Sequence, residues 1–234
     1  MIPQSITDAI ELLTSGDPYT YSVIWLSLKV AFFSLLIATA IGLPIGVILG
    51  MTRFAGRIGF LIIVNAAMGL PPVVAGLLVF MVLRNEGALG PLDMLFTPGA
   101  MVIAQVPLAM PLIAGVTMAA ISTVGTAIRL QARALGASRI QEALMLMREK
   151  RASLVGACIV GFGATISEVG AILITGGNLL VGGRNYTRTM TTAIVLETRL
   201  GNFSRALAFA LILLLIIVLV NIFLTRAQIT RFET

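Results

Sequence analysis

Five long apolar runs, which carry only two charged residues between them, restrict this chain to a bilayer. They lie at about Ile24 to Met51, Ile58 to Leu83, Ala100 to Val124, Ala152 to Thr175 and Ala206 to Thr225. A helix needs about 20 apolar residues to cross some 30 Å of hydrocarbon, and each run is long enough. The runs are continuous and rich in Leu, Ile, Ala and Gly, whereas an outer-membrane barrel alternates polar and apolar residues over short strands. An all-α membrane protein of about five transmembrane helices is therefore expected. A composition of 58% hydrophobic and 11% charged residues agrees. Lys29 is placed to extend its ammonium to the interface. Pro44, Pro71, Pro72, Pro107 and Pro111 fall within the runs, where each removes a backbone hydrogen bond and bends its helix unless neighbours satisfy the freed carbonyls.

The basic residues orient the spans. Arg53, Arg57, Arg129, Arg133, Arg139, Arg148, Lys150, Arg151, Arg226 and Arg231 flank one side, while Asp8, Glu11, Asp17, Glu86, Asp93 and Glu197 collect on the other. The positive-inside bias predicts an external N-terminus and a cytoplasmic C-terminus in a prokaryotic plasma or inner membrane. The net charge of +6 follows from this bias and is no nucleic-acid signal. Before the first run, Ser5 to Leu13 carries Ile6, Ala9, Ile10 and Leu13 at helical spacing, a short amphipathic helix for the membrane surface. With one cysteine and no histidine the chain has no Cys/His metal site and no histidine-dependent triad. Cys158 sits in an apolar run as packing.

The chain reads as one transmembrane domain, residues 1–234, with two informative connections. The cytoplasmic one, about residues 126–151, is rich in Ala, Leu, Gln, Arg and Met and free of proline, so it should be helical. Gly136 interrupts it, which implies either a break between two short helices or a close approach by another backbone. The stretch Gln131-Ala132-Arg133-Ala134-Leu135-Gly136-Ala137-Ser138, followed by Arg139-Ile140-Gln141-Glu142, resembles the EAA coupling loop of ABC importer permeases. Ala132, Leu135, Gly136 and Ala137 match; Leu130 replaces the motif's leading glutamate, and Arg148-Glu149 its closing Leu-Pro. Neither Lys29 nor Lys150 belongs to a phosphate-binding Gly-x-x-x-x-Gly-Lys-Ser/Thr loop, so ATP chemistry must sit on another polypeptide.

The outer connection, about residues 176–203, sharpens the resemblance. Ser167-Glu168-Val169-Gly170, Gly176-Gly177-Asn178, Thr187-Arg188-Thr189-Met190-Thr191-Thr192-Ala193 and Leu196-Glu197-Thr198 are similar to the molybdate and tungstate branch, most of all to tungstate permeases. This resemblance implies a type I importer permease with no catalytic residue, metal or cofactor of its own. It also implies a homodimer of permeases in lipid, two cytoplasmic ATPase subunits carrying ATP and Mg, and an external oxyanion-binding protein. Ala132, Arg133, Leu135, Gly136, Ala137, Ser138, Arg139, Gln141 and Glu142 would form the ATPase-coupling loop. Glu168, Asn178, Thr187, Arg188, Thr189, Thr191 and Thr192 are candidates for the pathway or gate, since hydroxyls and a cation suit a tetrahedral dianion. Arg184 and Arg199 are candidates for docking the binding protein. Glu168 has two readings, a gating group or a partner in a helix–helix hydrogen bond, because a carboxylate in lipid must find a partner or water. Gly161, Gly163, Gly170, Gly176 and Gly177 are expected to pack helices closely. A proton-coupled carrier or membrane enzyme centred on Glu168 is the rival reading.

Overall fold

A computed structural model describes residues 16–229, together with Thr7, Ile10, Glu11 and Thr14. The surface helix expected over Ser5 to Leu13 lies largely outside the described residues.

Three helices are long and apolar enough to cross the membrane singly: α1 (Pro18–Met51), α4 (Pro98–Ser122) and α10 (Phe203–Ile229). The second expected span is instead a broken pair, α2 (Arg57–Met68) and α3 (Pro72–Leu83), bent by 105°. The fourth is a second pair, α7 (Arg151–Ile166) and α8 (Gly170–Gly176), bent by 56°. Between α4 and α7 lie α5 (Thr126–Ala134) and α6 (Arg139–Glu149), and after α8 come a small hairpin and α9 (Met190–Arg199). The hairpin pairs β1 (Leu180–Val181) with β2 (Arg184–Asn185). Its two-residue turn is Gly182-Gly183, both at positive φ, as a tight hairpin with right-handed strand twist demands.

Local chemistry places the boundaries. Asp17 caps α1 by accepting the amides of Tyr19 and Thr20, with Pro18 at the first helical position where no amide partner is needed. The break between α2 and α3 falls where two consecutive prolines lack amides and Pro71 drives Leu70 away from helical geometry. Pro44, Pro107 and Pro111, by contrast, lie inside continuous helices. The break between α7 and α8 has no proline.

Packing centres on α1 against α4. Gly42, Gly46 and Gly50 form a small-residue stripe at four-residue spacing along α1. A β-carbon at Gly42 would lie 2.8 Å from the Met110 carbonyl oxygen, and one at Gly46 would lie 2.5 Å from that of Ala114. Only glycine allows this backbone approach, which in lipid supplies the dispersion that a hydrophobic effect between helices cannot. A second apolar cluster joins α1, α7, α9 and α10 through Val23, Phe162, Met190 and Phe209.

Candidate functional site

The joint between α5 and α6 is built from two interlocking caps. Helix α5 ends in a Schellman turn: the Gly136 amide donates to Arg133 O at 2.9 Å and the Ala137 amide to Ala132 O at 3.0 Å. This geometry puts Gly136 at φ +82°. A β-carbon there would meet nothing within 4 Å, so of the two expectations for Gly136 the chain break is the one realised. Helix α6 then starts in a capping box, Gln141 N donating to Ser138 Oγ at 3.3 Å and Ser138 N to Gln141 Oε1 at 2.8 Å. Between the caps, Leu135 is 88% exposed, and Ile140 on the first turn of α6 is 74% exposed. A capped turn thus presents two apolar side chains at the surface.

Beneath the turn the chain is clamped. The Glu142 side chain is 1% exposed and accepts from Arg129 Nε at 2.9 Å, Arg133 Nε at 2.9 Å and Arg133 Nη2 at 3.2 Å. Burial pushes the Glu142 carboxyl up, but the hydrogen bonds and charges of Arg133 and Arg129 outweigh it and hold the group below its ordinary range. Arg129 also donates through Nη2 to Met51 O at the end of α1, which ties the joint to the first span. The sequence marks Arg129 only as an orienting charge and not as part of the coupling loop. Its signal was available: Arg129 and Arg133 stand four apart, on one face of α5, with Glu142 in the first turn of the following helix. Ala132 is buried against the joint, while Arg139 is exposed.

The two broken spans meet at their breaks. A β-carbon at Gly170 would lie 2.8 Å from Val73 Cγ2, and one at Gly76 only 2.6 Å from Ala171 Cα, so the first turns of α3 and α8 touch. Glu168 stands in the second break, 8% exposed. Its Oε1 accepts the Ala171 amide at 3.0 Å and its carbonyl accepts the Thr191 hydroxyl at 2.9 Å. The carboxylate thus satisfies an amide that the broken helix would leave unpaired in apolar surroundings.

The pathway candidates from Asn178 to Thr192 form one network. Arg188 donates to Tyr19 Oη at 2.9 Å and Asn178 Oδ1 at 3.2 Å, with its guanidinium carbon 5.8 Å from the Tyr19 ring centre. Thr187 donates to Gly176 O and accepts the Leu179 amide at 2.8 Å, which closes the loop bearing the hairpin. Thr189 and Thr192 cap α9 reciprocally, and the Met190 amide donates to Ser27 Oγ of α1 at 2.8 Å. Through Arg188, Met190 and Thr191 this segment is bonded to both the first span and the break at Glu168. Arg184 on β2 and Arg199 at the end of α9 stand apart from this network and are exposed.

Residues 42–228 match the family model described as binding-protein-dependent transport system inner membrane component. The chain belongs to this family. The permease is 38% identical over 204 residues to a probable anion ABC transporter permease of Haloferax volcanii, a match covering 87% of this chain and 88% of the relative. It is 36% identical over 220 residues to a tungstate uptake system permease of Peptoclostridium acidaminophilum, covering 94% and 95%. Its fold is shared with an inward-facing MetNI methionine ABC transporter, at a TM-score of 0.70 and 20% identity over 87% of this chain and 92% of that one. The type I importer architecture expected from sequence is therefore the observed one, and the permease is a transport subunit, not an enzyme.

Proposed function

We propose that this permease, as one domain, carries a tetrahedral oxyanion, tungstate first and molybdate second, across the membrane and into the cytoplasm. Support for the cargo comes from the tungstate-uptake relative, which aligns over almost the whole of both chains. Two copies pair in the lipid, with the N-terminus outside and the C-terminus inside. An external binding protein delivers the anion, with Arg184 and Arg199 meeting its acidic surface.

The observation that carries the mechanism is the clamped joint. Leu135 and Ile140 are apolar, exposed and rigidly held, and they fit a groove on each of two ATPase subunits, which bring ATP and Mg. Residues Ala132, Arg133, Leu135, Gly136, Ala137, Ser138, Arg139, Gln141 and Glu142 form this coupling element. Closure of the ATPase dimer on ATP pulls on the joint; the link from Arg129 to Met51 passes the displacement to α1, and α1 moves α4 through the glycine stripe. Glu168, Asn178, Thr187, Arg188, Thr189, Thr191 and Thr192 act at the pathway by holding the broken spans and the outer segment as one unit. Changing Leu135 to Asp places a charge on the docking knob. Loss of co-purification with the ATPase, at unchanged permease yield, is expected; full retention together with normal uptake would exclude this docking surface.

A further inference from the structure

Beside the coupling joint, the inner face holds an arginine-lined cavity that no step of the transport cycle above fills. Its volume is about 390 Å³, and Arg53, Arg129, Arg133 and Arg139 contribute half of its lining residues, with Thr126 among the others. One carboxylate, Glu142, faces Arg129 and Arg133, which leaves an excess of three positive charges. Arg53 and Arg139 are exposed and make no ion pair among the described residues. Like charges brought together on a fixed frame repel, and an anion with several acceptor oxygens relieves that repulsion. Guanidinium forks suit tetrahedral oxyanions because they donate two parallel hydrogen bonds.

The cavity also lies at a membrane boundary. Arg53 follows the last residues of α1 and precedes Phe54, which is 42% exposed and meets Phe60, 55% exposed, edge to face at 5.9 Å. Ile58 beside them is 73% exposed. Apolar side chains open to lipid next to a cationic cavity match the two halves of an anionic phospholipid.

We infer that this cavity is a binding site for a tetrahedral oxyanion group, supplied either as the phosphate of an anionic lipid or as a free oxyanion in the cytoplasm. Because Arg133 and Arg139 belong to the coupling element, an occupant stiffens the joint and links its state to the surrounding lipid or to cytoplasmic anion. Anion affinity is independent of the cargo and docking assignments above.

The test uses the detergent-purified permease–ATPase complex, delipidated. Native mass spectrometry measures retention of phosphatidylglycerol against phosphatidylcholine, and calorimetry measures binding of inorganic phosphate and of tungstate. Selective phosphatidylglycerol retention alone identifies the lipid as source, and heats with the free anions identify a soluble ligand. In either case Arg53→Gln, which lies outside the coupling element, weakens binding about fivefold, and Arg53→Gln with Arg139→Gln more than about tenfold. Lys29→Gln, near the opposite face, leaves binding unchanged. No preference for phosphatidylglycerol together with no heat from either anion, or binding unaltered by Arg53→Gln, overturns the inference.

Discussion

Removing the Glu142 carboxylate should loosen the coupling joint without unfolding the permease. The side chain is 1% exposed and accepts three hydrogen bonds from two arginines. Breaking a buried ion pair costs about 3–5 kcal/mol. Glu142→Ala belongs at the low end, about 3 kcal/mol, because Arg133 is 46% exposed and rehydrates when its partner is lost. Glu142→Gln keeps an acceptor but loses the charge and should cost about half as much. The loss is local, since the caps at Gly136 and Ser138 do not involve the carboxylate. It should therefore appear as faster amide exchange over residues 126–149, by on the order of a hundredfold for Glu142→Ala, with exchange in α1 and α4 unchanged. Transport should fall more than ATP hydrolysis, as a loosened joint transmits less of the ATPase motion. Wild-type exchange rates in Glu142→Ala would refute the clamp. The pH dependence carries the same sign. The folded-state carboxyl is held below its ordinary range, so the clamp contributes fully at neutral pH and is lost as pH falls through the depressed value. Exchange over the joint should be flat from pH 8 down to about 5 after correction for intrinsic rates, and should rise only in acid below the ordinary carboxylate range.

Other changes separate backbone strain, close packing and charge. Gly136→Ala should cost roughly 1 kcal/mol through the left-handed backbone alone, since the new methyl meets no atom; ATPase co-purification is expected to persist, and its complete loss would contradict the open geometry. Gly76→Ala should be worse, by about 1–3 kcal/mol, because its methyl would press on the Ala171 backbone; a melting curve in detergent matching wild type would show that α3 and α8 do not touch. Glu168→Gln retains an acceptor for the Ala171 amide and should transport near the wild-type rate, whereas Glu168→Ala, short of about 1 kcal/mol of capping, should transport less. Equal loss in both variants would favour a gating charge over a cap.

The apolar helical spans and the joint at Gly136 were legible in the sequence, because hydrophobic length and a mid-helix glycine are local signals. The break at Pro71-Pro72 was half visible: prolines mark a bend, but Pro44, Pro107 and Pro111 sit in unbroken helices, and only the neighbours of each decide the outcome. The break at Ser167 to Val169 carried no proline, and Glu168 was its one sign, since an acid at mid-span is an efficient cap for an interrupted helix. The glycines at 42, 46 and 50 give α1 the face that meets α4, but their spacing alone does not say which helix they meet. The bonds that join Arg188 to Tyr19 and Arg129 to Met51 span 169 and 78 residues, distances over which no periodicity speaks.

The most direct test of the account is tungstate uptake by proteoliposomes containing this permease, with its ATPase inside and its binding protein outside. Uptake that requires ATP and all three proteins, and that molybdate competes better than sulfate, is the predicted result. Uptake by the permease alone under a proton gradient, or ATP-driven uptake of sulfate with tungstate excluded, would contradict it.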